Sequence, residues 1–269
     1  TAPFMNGTDR LRMPQMRVGK VLREVGWEEA LKAAAEKLAS CKGESFAVVC
    51  DTSLSLEDRY VLKKFTTEVM SSPHYIELVP DERGRVECTL PGTVKAALVT
   101  GNFLNGAQRD ALEVLIVQDC YPSLLLEKAD VVLPAAFFTE TDGTVLDSEG
   151  VTRPLVHVTT PPGQARSDRD IILGLAAEFG ASLLKGKDAV SIAKAAGLPD
   201  AALYAKREST PAAASDPAKR RAWFRGHNLA ERVGGLRSMP VDGDVAAGET
   251  VQEKTTPNVS GEKVPFQIL

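Results

Sequence analysis

The chain has 269 residues, 43% of them hydrophobic and 25% charged, with a formal net charge of −4. That composition is globular, with enough length for one large or two modest domains. The acidic excess argues against a dedicated nucleic-acid binder, and no apolar run approaches the ~18 residues that a membrane span needs. The expected location is cytoplasmic. The first residue is Thr1 rather than Met, which reads as a processed chain or a piece of a longer polypeptide.

In chain order, residues 1–26 read as an irregular lead-in with a basic patch of Arg10, Arg12, Arg17, Lys20 and Arg23. "GWEEALKAAAEKLASCKG" predicts an amphipathic helix, with Trp27, Ala30, Leu31, Ala34 and Leu38 recurring at three and four and Gly43 closing it. "SFAVVC" reads as a buried strand. "SLEDRYVLKKFTTEVMSS" opens with a capping-box pattern, Ser55 to Asp58, and predicts a helix packed on that strand. Residues 27–92 are therefore expected to form a partial α/β unit and, from residue 72 onward, a linker rich in breakers and charge.

Residues 93–198 read as a second α/β domain. "VKAALVTG", "VLIVQD" and "DVVLPA" are short, continuously apolar runs, separated by helical readings of "NGAQRDALEV" and "YPSLLLEKA". Uninterrupted apolar strands alternating with helices predict a parallel sheet covered on both faces. "GVTRPLVHVTTPPG" then reads as an extended stretch, "SDRDIILGLAAEFG" as a strong helix capped by Ser167 or Asp168, and "DAVSIAKAAG" as a smaller one. Residues 199–234 read as a helical or irregular excursion. Residues 235–269, rich in Gly, Pro and Thr, read as an extended tail or linker. The predicted class is α/β: layered parallel-sheet domain or domains, helices on both faces, and an extended C-terminal tail.

Candidate chemistry is sparse. Cys41, Cys50, Cys88 and Cys120 are far apart in sequence and none sits in a C-x-x-C pair, so no metal site is expected. His74, His157 and His227 are isolated. The P-loop and the G-x-G-x-x-G fingerprint are absent. What remains are strand exits, where parallel sheets bind ligands. Gly101 and Asn102 follow one strand, Gln118 and Asp119 end another, and Glu140 and Asp142 lie in an acidic loop after a third. A carboxylate such as Asp119 can accept two N–H bonds from a purine edge, and backbone amides near Gly101 can approach a phosphate. The same residues are also what any α/β turn uses. Glu140 and Asp142 could suggest an acid/base pair, but nothing near them in sequence looks like a nucleophile, and the favoured reading is a solvated turn.

The stretch "DALEVLIVQDCYPSLLLEKADVVLPAAFFTETDGTVLDSEGVTRPL" resembles the third domain of the molybdopterin oxidoreductase superfamily, to which formate dehydrogenases and the large iron–sulfur subunit of NADH:quinone oxidoreductase belong. The residues carrying the resemblance are Val117, Gln118, Asp119, Ala129, Asp130, Val131, Val132, Leu133, Pro134, Glu140, Asp142, Gly143, Thr144 and Glu149. "DRLRMPQMRVGKVLREVGWEEALKAAAEKLA" is similar to the family's segment after its N-terminal cluster domain.

The resemblance also exposes departures. Catalytic members place a Cys, selenocysteine or Ser metal ligand after the helix that corresponds to residues 55–71, followed by a long pterin-binding half-domain. Here "VMSSPHYIELVP" runs almost directly into "GTVKAALVTG". Asp147 stands where Asn is usual, and "GNFLNG" replaces a "GENP"-like loop.

The resemblance therefore implies a non-catalytic scaffold region of an electron-transfer subunit, in a cytosolic NAD(P)H- or ferredoxin-linked oxidoreductase complex. No catalytic residue and no cofactor is expected in this segment. Iron–sulfur clusters, and flavin, are expected in partner subunits or neighbouring domains. Two alternatives stay open: a formate dehydrogenase-like molybdopterin enzyme whose pocket is completed by other chains, and a small-nucleotide-binding module. If a nucleotide or pterin binds, Gly101, Asn102, Gln118, Asp119, Glu140 and Asp142 are the expected contacts.

Overall fold

A computed structural model of the chain describes residues 9–79, 88–146, 152–186 and 188–198. The expected excursion and tail beyond residue 199 lie outside the described residues, as do Asp147 and Glu149.

The apolar runs become the centre of a seven-stranded sheet. Phe46–Asp51 (β3), Ala96–Thr100 (β5), Val114–Asp119 (β6) and Val131–Pro134 (β7) run parallel, with β3 beside β5, β5 beside β6 and β6 beside β7. Successive side chains of a strand point to opposite faces. Phe46, Val48 and Cys50 accordingly enter one apolar cluster, and Ala47 and Val49 the other. The expected segments 27–92 and 93–198 thus share one sheet through the pairing of β3 with β5.

Its edges depart from the sequence reading. The supposedly irregular lead-in contains an antiparallel hairpin, Gln15–Val18 (β1) and Val21–Glu24 (β2), with Gly19 at φ +63 in the turn. Strand β1 pairs antiparallel with β7, and Arg17 fixes the join by donating from Nε to the Ala129 carbonyl (2.7 Å) and from Nη2 to the Leu126 carbonyl (2.6 Å). The supposed linker contains His74–Leu78 (β4), parallel to β3. Both were hidden because edge strands carry polar and charged side chains and need no apolar alternation. The full order is β2-β1-β7-β6-β5-β3-β4. A separate antiparallel pair joins Gly143–Leu146 (β8) to Thr152–Leu155 (β9).

The two faces are covered unequally. One carries Trp27–Leu38 (α1), Leu56–Lys64 (α2), Asp168–Glu178 (α4) and Ala189–Ala195 (α5), which supply Leu31, Leu38, Leu62, Ile171, Ile172 and Ile192 to the larger cluster. After α2 the chain widens into a π-helical turn, Phe65–Val69, where the Thr66 hydroxyl donates to the Leu62 carbonyl. The other face is covered by the short Gly106–Ala111 (α3), by loops, and by a 3-10 turn at Leu124–Glu127. A helix was expected over that turn. Pro122 leaves too few residues, and only Leu125 of the turn is buried.

Candidate functional site

The order of strand addition reverses across the sheet between β3 and β5: β4 lies to one side of β3, while β5, β6 and β7 lie to the other. Crevices form at such switch points, outside the carboxyl ends of the strands. A cleft enclosing about 60 Å³ lies there. Its floor comprises Asp51 from the end of β3, Thr100 and Gly101 after β5, and Gln118 and Asp119 from β6. Leu54, Phe137, Phe138 and Leu155 form apolar walls. Asp58 and Asp168, from the first turns of α2 and α4, close it from above.

Each carboxylate is held by its surroundings. Asp51 accepts from the Ser53 amide (3.2 Å) and hydroxyl (2.5 Å), yet burial, with only partial relief from those bonds, pushes its pKa up to about 6. Asp58 bonds the Ser55 hydroxyl (2.5 Å) and accepts from the Arg169 amide (3.0 Å); burial still raises it. Asp168 accepts from Gln118 Nε2 at 2.6 Å, and burial followed by the neighbouring Asp58 charge pushes it up to about 8. Asp119 Oδ1 accepts from the Cys120 and Tyr121 amides, closing a turn at the strand end. Gln118 is fully buried, and its Oε1 has no hydrogen-bond partner. Among the described residues, no Lys, Arg or His lines the cleft.

The acidic loop is built differently. Glu140 receives Arg10 in a buried two-pronged ion pair, Nη1 at 2.9 Å and Nη2 at 2.8 Å, and also accepts from the Phe137 amide at 2.8 Å. Arg10 further donates to the Cys120 carbonyl and lies over the Tyr121 and Phe137 rings, 5.3 and 5.6 Å from their centroids. Arg169 bonds the Asp142 carboxylate and its carbonyl, the latter at 2.7 Å. Glu57 of α2 accepts from the Thr144 amide (2.7 Å) and hydroxyl (2.8 Å). Gly143 leaves room for this contact: a Cβ there would stand 2.9 Å from Glu57 Oε2. Three charged groups from distant segments thus clamp the loop.

Of the residues singled out in the sequence, Gly101, Gln118 and Asp119 line one cleft; Asn102, Glu140 and Asp142 are not part of its lining. The Glu140 and Asp142 carboxylates pair with separate arginines, a clamp rather than an acid/base couple. Gly101 has φ +101, and a Cβ there would meet the Phe103 ring at 2.8 Å, so glycine is required. Sequence reasoning missed Asp51, Asp58 and Asp168. Asp51 ends a strand and could have been found by the rule that found Asp119, whereas Asp58 and Asp168 were absorbed into helix starts. Among the described residues no group of three His, Cys, Asp or Glu side chains could hold a metal ion, and the four cysteines are free thiols.

The family profile described as "Molybdopterin oxidoreductase" matches residues 10–83 and 86–178, more than half of the chain. The chain is similar to the assimilatory nitrate reductase of Haloferax mediterranei, 46% identical over 71 residues that make up 26% of this chain and 10% of that protein. It is also similar to the NADPH-Fe(3+) oxidoreductase subunit alpha of Geobacter sulfurreducens, 36% identical over 93 residues, 31% of this chain and 11% of that one. The F420-dependent formate dehydrogenase subunit alpha of Methanocaldococcus jannaschii is 40% identical over 70 residues, 26% of this chain and 10% of that one. The match spans only about a tenth of the length of these relatives. No helix among the described residues is long and apolar enough to cross a membrane.

Proposed function

Because the chain belongs to the molybdopterin oxidoreductase family, and because its acidic loop is committed to internal contacts, we propose that it is a non-catalytic scaffold region of an electron-transfer subunit. The complex would be an NAD(P)H- or ferredoxin-linked oxidoreductase, in which other subunits or domains carry iron–sulfur clusters and flavin. The observation that carries this reading is the clamp on residues 140–144: Glu140, Asp142 and Thr144 are bonded to Arg10, Arg169 and Glu57. A general acid or base needs a carboxyl that faces a substrate. The Glu140 carboxyl is buried against Arg10, and that of Asp142, though partly exposed, is paired with Arg169.

The family's pterin cofactor carries phosphate, and the cleft does not fit such a group. Asp51, Asp58, Asp119 and Asp168 line it, and among the described residues no basic side chain does. The amino ends of α2 and α4, which would otherwise attract an anion, are already occupied by the first-turn acids Asp58 and Asp168.

A second reading has support in the names of the relatives, which include a nitrate reductase and a formate dehydrogenase subunit. In that reading this chain is one wall of a catalytic subunit whose pocket is completed elsewhere. Turnover of the assembled complex separates the two. With Asp119→Asn, the scaffold reading expects near-wild-type turnover. A loss of ~10²–10⁴-fold, the usual contribution of a catalytic acid or base, would favour the enzymatic one.

A further inference from the structure

We infer that the outer edge of the β1–β2 hairpin is a docking edge for a second copy of this chain, the two β2 strands pairing antiparallel across a two-fold axis at Leu22. The assignment goes beyond the scaffold reading and does not depend on it.

The hairpin leaves one row of backbone groups unused. Strand β1 is bonded on both sides. Arg17 N donates to the Asp130 carbonyl (2.8 Å) toward β7, and the Pro14 carbonyl accepts from Val25 N (2.9 Å) on the other side. In an antiparallel ladder, residues that exchange hydrogen bonds alternate with residues that do not. With Val18 opposite Val21 and Met16 opposite Arg23, the backbone groups of Val21, Arg23 and Val25 turn inward to β1. Those of Leu22 and Glu24 therefore turn outward. Strand β2 ends the strand order, and among the described residues no strand pairs with its outer side. An edge of this kind is a template for another strand.

Side chains select the partner and the register. Val18 and Val21, a cross-strand pair, are 42% and 60% exposed. Lys20, Arg23 and Glu24 are exposed beside them, and neither Lys20 nor Glu24 has an ion-pair partner among the described residues. A second copy related by a two-fold axis presents the same residues in reverse order. Three registers join the outward groups of Leu22 and Glu24. Centred on Arg23, two arginines stand opposite each other; centred on Glu24, two carboxylates do. Centred on Leu22, the leucines face each other, and each Glu24 stands opposite Lys20 of the other copy, whose long side chain reaches out from the turn. Opposite charges across a strand pair stabilise it and like charges destabilise it, so the Leu22 register is selected. That register also sets the exposed Val21 against the aliphatic stem of the other copy's Arg23. Two four-residue strands form a small contact, so the association is weak.

Sedimentation equilibrium of the full chain, from micromolar to millimolar concentration, reads this association directly. The inference expects a monomer–dimer equilibrium that salt weakens. Glu24→Lys breaks both ion pairs of the symmetric contact and sets like charges opposite each other, so it should weaken the dimer by about tenfold, and Lys20→Glu likewise. Mixing the two single variants rebuilds both pairs in a heterodimer, and the double variant Lys20→Glu/Glu24→Lys rebuilds them with itself. Both should return close to the parental affinity. Leu22→Pro removes an outward N–H without breaking a bond inside the hairpin, and should abolish dimerisation.

Lys20 and Glu24 are exposed, so the charge series decides even if Leu22→Pro fails to fold. The inference is overturned if the chain stays monomeric throughout, or if the two single charge variants associate as tightly as the parent. It is equally overturned if their mixture associates no better than either alone. Protection of the Leu22 and Glu24 amides from hydrogen exchange at concentrations where the chain is monomeric would also overturn it, because something other than a second copy then holds the edge.

Discussion

Replacing Glu140 with alanine is the sharpest test of how the acidic loop is built. The side chain of Arg10 is completely buried and that of Glu140 nearly so. Removing the carboxylate withdraws both prongs of the ion pair and leaves the Phe137 amide without its acceptor. The guanidinium keeps the Cys120 carbonyl and the faces of Tyr121 and Phe137 but loses its anionic partner Glu140. Breaking one side of a buried pair costs ~3–5 kcal/mol, because the surviving charge stays desolvated. For an ordered body of this size each kcal/mol shifts the melting temperature by about 2–4 °C, so Glu140→Ala should melt lower by roughly 10 °C. Glu140→Gln, which still offers one oxygen, should fall between. The double variant Arg10→Met/Glu140→Met should recover most of the loss, since no unpaired charge remains. Urea and thermal melts of the four proteins give the comparison. A loss below about 1 kcal/mol in Glu140→Ala would refute the clamp, because that is the worth of an exposed pair.

Two further outcomes follow from named contacts. Burial raises the carboxyl of Asp168 from an ordinary 3.8 to about 8, and that of Asp51 to about 6. The folded chain then holds more protons than the unfolded one between those values, so this stability is complete below the unfolded pKa and is lost as pH rises through about 6 and 8. Asp168→Asn should therefore gain on the parent in melting temperature as pH increases; a constant difference across pH 5–9 would contradict the assignment. Gly163 has φ +62, and a Cβ there would stand 2.5 Å from the Arg12 carbonyl oxygen, whereas Gly180, at φ +71, faces open space. Gly163→Ala should cost well over the ~1 kcal/mol of backbone strain expected for Gly180→Ala, and equal losses in chemical denaturation would argue against that close approach.

How much of this was legible in the sequence depended on how local each signal was. The four central strands were visible because both faces of each are buried, leaving uninterrupted apolar runs such as "FAVVCD" and "VLIVQD". The edge strands were not. "QMRV" and "VLRE" have the exposed, charged character that suits a sheet margin and resembles a loop. The Ser55–Asp58 cap was read correctly, since a cap is written within four residues, yet its carboxylate also belongs to the cleft, which becomes visible only when α2 is placed above β3. Gly101, Gln118 and Asp119, singled out by the rule that ligands sit beyond strand ends, line the cleft. The partners of the acidic loop had no local signature: Arg10 meets Glu140 across 130 residues, and Glu57 meets Thr144 across 87. A turn whose bonds come from such distances cannot be told from a catalytic loop by its own residues.

The central claim is that this chain is a scaffold whose cleft does not take the family's cofactor. Pterin analysis of the purified chain and of its intact complex, from cells that make the cofactor, tests it most directly, with a pterin-loaded family member prepared in parallel as control. The oxidised pterin fluorophore should be released from the control and be absent, or far below one per chain, in the protein. Stoichiometric pterin in the complex, lost when Asp119 is replaced by Asn in an otherwise intact assembly, would contradict the account.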